Sequence, residues 1–376
     1  MDLVIPKAKL VDLAESAVSC VSPKSSTSQL RMARVELRGS ELSVVGTDLM
    51  RTIEARANCD ARQMGAVLVD AKRLLECARA LPAAPVRIVA DAKALTLSAE
   101  KRKFSLETVR VEDYPHVEAW PERAKTWTMP SEALRRLVKR AQHAASTDTT
   151  RPHLNCVALE EHAFKRSGKL SGKVGSRASA TDGYRLAAVH GPERWGGPKA
   201  LVPEAAVSLL LSLADRGDTV EFASVSDSAM HARCGDRSIR IAVYDAQQPP
   251  IEQVIPSQSA HCVTVERSVL RNAIAAISRA SSAATGSIVL TFSAGHIRVE
   301  AASNDSGGVG GDDEVACEGG PGEPVKIGMN AKYLLDPLDA FDCETVAVDF
   351  GGELDPVVFR DPDLIDDVLI GMPMRI

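Results

Sequence analysis

Apolar residues recur along this chain at helical spacing, then at strand spacing, and the cycle comes round three times. A helical segment starts at Lys7, KAKLVDLAESAVSCV, and is followed by strand-like ARVELRGSELSVVGTDL with a Gly-Ser turn. A second helix, VDAKRLLECARALP, precedes the strand-turn-strand text VRIVADAKALTLSAEKRKFSLETV. The order returns as helix PSEALRRLVKRAQHAAS, strands HLNCVALEE and SRASATDGYRLAAV, helix VPEAAVSLLLSLA and the strands of DTVEFASVSDSAMHARCGDRSIRIAVY. It returns again as ERSVLRNAIAAISRA, GSIVLTFSAGHIRVEAASND, MNAKYLLDPLDAF and ETVAVDFGGELDPVVF. TDL at 47–49, TDG at 181–183 and NDS at 304–306 fall at equivalent points of the cycle. The pattern predicts an α+β fold of three similar domains, 1–123, 124–256 and 257–376, with mostly antiparallel strands and two helices each. Pro-containing joints near WPE (120–122) and VIPSQ (254–258) separate them.

The last nine residues, VLIGMPMRI, place Ile370, Met372, Met374 and Ile376 at every second position, which predicts a strand. Pro373 lacks a ladder donor, so that strand is an edge or ends there. Such a tail either completes a core or lines a pocket, and methionine suits surfaces that accept varied partners.

At 376 residues and 45% apolar, the chain is globular and long enough for two or three domains. No stretch has the apolar length of a membrane span and the N-terminus lacks a signal-peptide core, so a cytoplasmic protein without a membrane partner is expected. The eight cysteines contain no C-x-x-C pair and the eight histidines no metal spacing. Neither a phosphate-binding loop nor a nucleophile elbow occurs, so no enzyme, metal or cofactor is expected. The acidic GDDE at 311–314 sits in a Gly-rich run and reads as a mobile loop rather than a divalent-metal cluster. KRSGKLSGKVGSR (165–177) reads as a basic hairpin insertion or simply a solvated loop.

A net charge of −5 argues against a generic nucleic-acid coat, yet the charge is segregated. On the helix at 131–145, Leu134, Leu137, Val138 and Ala141 share one face, with Arg136, Lys139 and His143 opposite, flanked by Arg135 and Arg140. Lys72 and Arg79 oppose Leu74 and Ala78, and Arg267, Arg271 and Arg279 oppose Val269, Ala273 and Ala276. Solvated basic faces are common, but three of them in an acidic protein could meet phosphates without reading bases.

Several stretches, in order and over the full length, resemble the bacterial DNA polymerase III beta subunit, or sliding clamp, family. They are GTDL, FSLETVRVEDYPHVEAW, RPHLNCVALE, ATDGYRLA, PPIEQVIP, NAKYLLDPLDAF and MPMRI. The resemblance implies a ring-shaped head-to-tail homodimer with helices lining a central channel and antiparallel sheets outside. It implies a non-catalytic processivity factor that encircles duplex DNA without sequence preference. Its partners would be the DNA polymerase III alpha subunit, the clamp loader and other proteins with a clamp-binding motif. The DNA-facing residues implied are Lys24, Lys72, Arg79, Arg136, Lys139, Arg140, His153 and Arg271.

For a cleft that binds partner peptides, the matched positions of the second domain are Leu154, Thr181, Gly183, Tyr184, Arg185 and Leu186. Pro249 and Val254 come from the joint, and Asn330, Tyr333, Leu354 and Pro356 from the third domain. The tail adds Ile370, Met372, Pro373, Met374 and Arg375. Read alone, ATDGYR is a plain turn. Tyr184 stands where the family commonly has histidine, and Gly371 where it usually has valine.

At the dimer interface the family's apolar residues are present as Phe104 and Leu106, but Arg279 and Ala280 stand where clamps often place two aliphatics. A more dissociable ring follows, held partly by Arg279 and a carboxylate such as Glu107. The helix EAAVSLLLSLA carries no base where the family is usually basic, and Pro337 is expected to kink or shorten the last helix. Uneven channel charge leaves two alternatives open, a specialised clamp paralogue and a DNA-free scaffold that keeps the cleft.

Overall fold

The computed structural model describes residues 1–22, 24–166, 169–226, 228–280, 286–301 and 310–375. Its first run of elements is β1 (Asp2–Pro6), α1 (Lys7–Val18), β2 (Met32–Arg38), β3 (Glu41–Thr47), β4 (Arg51–Asn58), β5 (Asp60–Gln63) and β6 (Gly65–Asp70). Helix α2 (Ala71–Ala80) and strands β7 (Pro85–Ala90), β8 (Ala94–Ala99) and β9 (Arg102–Glu107) close it. The second run is β10 (Thr126–Pro130), α3 (Ser131–Ala141), β11 (Cys156–Arg166), β12 (Lys169–Thr181), β13 (Arg185–Gly191) and β14 (Ala200–Pro203). It continues with α4 (Glu204–Ala214), β15 (Thr219–Ser226), β16 (Ala229–Cys234) and β17 (Arg237–Ala242). The third is β18 (His261–Glu266), α5 (Arg267–Ile277), β19 (Ser287–Ser293), β20 (His296–Ala301), β21 (Asp312–Ala316), β22 (Glu318–Gly319) and β23 (Val325–Asn330). It ends with α6 (Ala331–Ala340), β24 (Thr345–Phe350), β25 (Val357–Asp361) and β26 (Leu364–Gly371). Each run therefore repeats strand, helix, strands, helix, strands, and all the described strand pairs are antiparallel.

Two compact units form, Met1–Glu132 with Ser208–Val243, and Ala133–Val207 with Tyr244–Ile376. In the first unit a five-stranded sheet runs β5-β1-β7-β8-β9 and an eight-stranded sheet runs β10-β15-β16-β17-β4-β3-β2-β6. In the second a nine-stranded sheet runs β14-β11-β12-β13-β26-β25-β24-β18-β22 and a four-stranded sheet β21-β20-β19-β23. The units do not follow the sequence repeats, because the middle run gives β10 and β15–β17 to a sheet containing β4 and gives β11–β14 to a sheet containing β26.

Local chemistry explains the elements. Strands β7 and β8 alternate buried and open positions, so one face of each meets apolar side chains. Helix α1 buries Leu10, Leu13, Ala14 and Ala17 against the same core as Leu3, Ile5 and Leu97. Asp70 caps α2 by accepting from Arg73 N at 2.8 Å, and Asn330 caps α6 by accepting from Lys332 N at 2.9 Å. Helix α6 runs on through Pro337 rather than stopping there. Arg267 serves its C-terminal end, donating from Nη1 to Leu338 O (3.1 Å) and from Nε to Cys343 O (2.7 Å), so this arginine is a cap.

Several sequence expectations are corrected. Asp312–Ala316 is strand β21, paired with β20, not a loop. The terminal strand stops at Gly371 and is no edge, because β26 lies between β13 and β25. Met374 keeps only an isolated bridge to Gly328, and Ile376 lies outside the described residues, as do residues 304–306. Of the two readings of 165–177 the hairpin agrees with the structure, since the described residues lie in β11 and β12 and Arg166 faces Lys169.

A further correction concerns the basic face of α3. Arg140 is only 6% exposed and Arg136 is half-buried. Both donate from Nη1 to Asp367 Oδ2 on β26 at 3.0 Å, and Arg136 also donates to the His190 carbonyl on β13. Asp367 Oδ1 in turn accepts from His190 N at 2.7 Å. The Arg140 guanidinium lies 5.5 Å from the centre of the Phe341 ring. Burial pushes the Asp367 carboxyl up against these donors, so its charge is held at a cost. The helical period shows which way a side chain points, not what covers it.

Candidate functional site

The peptide-cleft residues expected from sequence all fall in the second unit, built around the turn from β12 to β13. Asp182 Oδ1 accepts from Tyr184 N (2.9 Å) and Arg185 N (3.0 Å), and its Oδ2 from Arg185 Nε (2.8 Å). Thr181 Oγ1 donates to Arg185 O at 2.7 Å and accepts from Gly183 N at 3.2 Å. Gly183 sits at φ +94, a region open to glycine. The turn satisfies its own polar groups and leaves Tyr184 65% exposed.

Leu186, first inward residue after the turn, faces Ile370 across the β13–β26 ladder, and Ile370 faces Val358 across β26–β25. With Ala188, Val368 and Ile251 they form one buried apolar cluster, against which Ile255 packs. Leu186 and Ile370 are thus core beneath the turn, and Ile251 reaches them from the joint that also carries Pro249 and Val254. Pro249 is half-buried and Val254 exposed.

Beyond Gly371 the chain bonds back to both walls. Met372 N donates to Tyr184 O and Met374 N to Gly328 O, both at 2.8 Å. Ser287 Oγ approaches the Met374 sulfur at 3.6 Å. Met372, Pro373 and Met374 are half-buried and Arg375 is exposed. Gly371 has a packing reason: a β-carbon there would lie 2.6 Å from Met329 Cε and 3.4 Å from Tyr333 O.

The opposite wall is charged. Arg185 donates to Asp336 on α6 as well as to Asp182, and its guanidinium stands 5.1 Å from the Tyr333 ring centre. Lys332 Nζ reaches Asp336 Oδ2 at 3.0 Å. His143 is beside this group, with Asp336, Arg185, Lys332 and Asp182 acting on it. Both its ring nitrogens are buried without a hydrogen-bond partner, and burial pushes it down to about 4, so the ring is neutral. Leu154 is buried in the stretch between α3 and β11, while Leu354 is exposed and Pro356 half-buried in the β24–β25 loop.

Sequence reasoning missed Val358, Val368 and Ile251 in this core and Asp182 and Asp336 in the wall. The continuous apolar runs VVF and VLI carry the first two, and the Lys332–Asp336 spacing of four carries the last.

The residues proposed to face DNA are not gathered the same way. Lys24 and Lys139 are exposed, and His153 is half-buried. Lys72 lies 3.9 Å from Glu76, Arg79 2.8 Å from Glu15 and Arg271 2.8 Å from Asp339. Arg136 and Arg140 are committed to Asp367. Among the described residues no group of three or more His, Cys, Asp or Glu is placed to hold a metal ion, and no helix is long and apolar enough to cross a membrane.

Residues 1–118 match the model of the DNA polymerase III beta subunit N-terminal domain, and residues 252–375 that of its C-terminal domain. The beta sliding clamp of Pseudomonas aeruginosa is 26% identical over 384 residues, covering 100% of both chains. That of Escherichia coli K12 is 24% identical over 346 residues and 91% of each chain. The crystal structure of the Pseudomonas aeruginosa DNA polymerase III subunit beta superposes with a TM-score of 0.89 at 25% identity, over 100% of both chains. A second Pseudomonas aeruginosa clamp structure, bound to griselimycin, gives 0.90 at 25% identity and the same coverage. This chain belongs to the DNA polymerase III beta subunit, or sliding clamp, family.

Proposed function

We propose that this protein is a DNA sliding clamp, a non-catalytic processivity factor that closes round duplex DNA and tethers DNA polymerase III and other replication and repair proteins. It works in the cytoplasm as three clamp domains, 1–123, 124–256 and 257–376, a division supported by the threefold element order. The observation that carries the reading is the partly open tail of residues 372–374, which returns over the buried cluster of Leu186, Ile370 and Val358 beside the self-contained Thr181–Arg185 turn. A handful of such anchors carries most of an interface's energy, and a shallow cleft gives exchangeable binding on the order of micromolar, about −8 kcal/mol. Clients can then take turns.

The tail supplies rim rather than ladder. Removing residues 372–376 takes away the two backbone bonds from Met372 and Met374, about 2 kcal/mol, and leaves β26 whole. The expected outcome is a folded protein that no longer binds a labelled peptide carrying Gln and two bulky apolar residues. Unchanged peptide affinity would place docking elsewhere, and unfolding of the truncated chain would make the tail part of the core.

Duplex DNA is held through exposed lysines, Lys24 and Lys139 together with Lys72, whose only ion pair among the described residues is the exposed one 3.9 Å from Glu76. Replacing Lys24, Lys72 and Lys139 with alanine should reduce the slope of log affinity against log salt by about 0.9 for each phosphate that is no longer neutralised. The engagement of Arg79 and Arg271 by carboxylates favours weak DNA affinity. A slope unchanged by all three substitutions would favour the DNA-free scaffold instead.

The homodimer forms head to tail through two sheet edges. Strand β9, with Arg102, Lys103, Phe104 and Leu106, ends one sheet, and β21, with Asp312, Asp313 and Glu314, ends another. Unpaired edges invite a partner strand, and these two carry opposite charge. Arg279 is exposed, and Ala280 lies where a β-carbon on Gly311 would touch it at 3.6 Å, next to β21. Solution mass should report a dimer at low salt that dissociates at about 1 M salt, where the Debye length is about 3 Å. A dimer indifferent to salt would contradict the charged edge, and a monomer at every concentration would rule out the ring.

A further inference from the structure

The β11–β12 hairpin outgrows its sheet. Strand β14 accompanies β11 only from Cys156 to Leu159, and β13 accompanies β12 only from Ser176 to Thr181. Residues 160–166 and 169–175 therefore pair with each other and with no further described strand. At about 3.3 Å per residue the two arms run about 20 Å past the sheet as a two-stranded ribbon. Ser167 and Gly168, between the arms, lie outside the described residues.

The foot of the ribbon is held by rings. The centre of the His162 ring lies 4.6 Å from that of His190 and 5.5 Å from that of Phe164, and Phe164 lies 6.0 Å from His190. Gly175 gives them room, since a β-carbon there would lie 2.7 Å from Phe164 Cε2 and run into the Gly191 carbonyl. Burial pushes His190 down to about 3 and lowers His162, so both imidazoles are neutral at neutral pH. The carboxylates at the foot are taken. Glu160 is met by Arg177 at 2.6 Å and Lys199 at 3.1 Å, and Glu161 by Arg194 at 2.7 Å. A ribbon fixed at its root loses less freedom when it binds.

The arms beyond the foot carry one sign of charge. From Lys165 to Arg177 the sequence has five bases and no carboxylate, in a chain of net charge −5. Arg177 serves the foot, which leaves Lys165, Arg166, Lys169 and Lys173 further out. The register sets Arg166 directly opposite Lys169. Like charges opposed across a ladder destabilise it, and an anion lying across both removes that cost. Charge of either sign would protect the ribbon's edges from aggregation, and the edge strand β21 uses acids for it. The exclusive use of bases points instead to an anionic partner. B-DNA's major groove, about 12 Å wide, admits a two-stranded β-ribbon, and an arm about 20 Å long passes several phosphates.

We propose that this ribbon is a second contact for duplex DNA, separate from the basic helix faces, which enters the major groove and sets Lys165, Arg166 and Lys169 on the flanking phosphates. Such contacts position the duplex without specifying its sequence. The choice of DNA as occupant rests on the clamp reading above.

The test is the salt dependence with which the full chain binds a labelled, mixed-sequence linear duplex. Lys165→Gln, Arg166→Gln and Lys169→Gln together should lower the slope of log affinity against log salt by about 2.7, or about 0.9 for each phosphate released. A second variant, with 165–173 replaced by the hairpin turn Asn-Gly, should lose at least as much and decides if the first fails to fold. The loss should add to that from alanine at Lys24, Lys72 and Lys139, because the two sets of contacts are independent. An unchanged slope in both ribbon variants would overturn the proposal and leave the clamp reading standing. A slope lowered by the ribbon variants alone would support the ribbon and count against the helix faces. Tighter binding of polyglutamate or of anionic-lipid vesicles than of the duplex, lost in the same variants, would overturn the choice of DNA.

Discussion

One carboxylate fastens the second unit. Asp367 on β26 accepts from the His190 amide on β13 and from two arginines on α3, so a single side chain ties two strands and a helix together. Those strands meet from positions about 180 residues apart, and their ladder sets Leu186 opposite Ile370. The buried apolar cluster, the return of Met372 to Tyr184 and the position of the tail all depend on that register. A slip by one residue would turn every side chain of that cluster on the slipped strand to the other face. Such a buried ion cluster adds little net stability over an apolar replacement, but losing one member strands the rest in a poor solvent for charge. Its service is to specify which strand lies beside which.

The same backbone device appears twice with opposite chemistry. A Thr-Asp-x-x-Arg turn, an antiparallel neighbour and a returning chain occur at 47–51 and again at 181–185. The turn's backbone is satisfied mostly from within, and Thr52 adds only a hydroxyl contact to Thr47 at 2.8 Å, so the residues after the turn can differ. That freedom explains how leucine and isoleucine at one site correspond to threonine and arginine at the other.

Much of this was legible in the sequence where the information is local. The helices α1 to α6 lie where the apolar periodicity puts them, and the turn chemistry of TDGYR reads directly as an Asx turn. What escaped is set by distant neighbours. Nothing in VLIGMPMRI says that β26 has a strand on each side, since both partners lie elsewhere in the chain. Lys139 and Arg140 are adjacent and equally basic, yet one is exposed and the other lies beneath Phe341 and beside Asp367. The run GDDE reads as loop because it sits in a Gly-rich stretch. An edge strand needs only its backbone to pair, and charged side chains there suppress aggregation. In the cleft, the turn and tail were readable by resemblance, while the Arg185–Asp336 link required knowing that α6 packs beside the turn.

The dependence on Asp367 is tested most directly by amide hydrogen exchange across β13 and β26 in Asp367→Asn, alongside its denaturant unfolding. The account predicts a loss of about 3 kcal/mol or more, as expected for breaking a buried pair, with protection at Leu186–Val189 and Val368–Ile370 falling before that of the β19–β20 ladder. A change within about 0.5 kcal/mol, with protection of those amides unaltered, would contradict it.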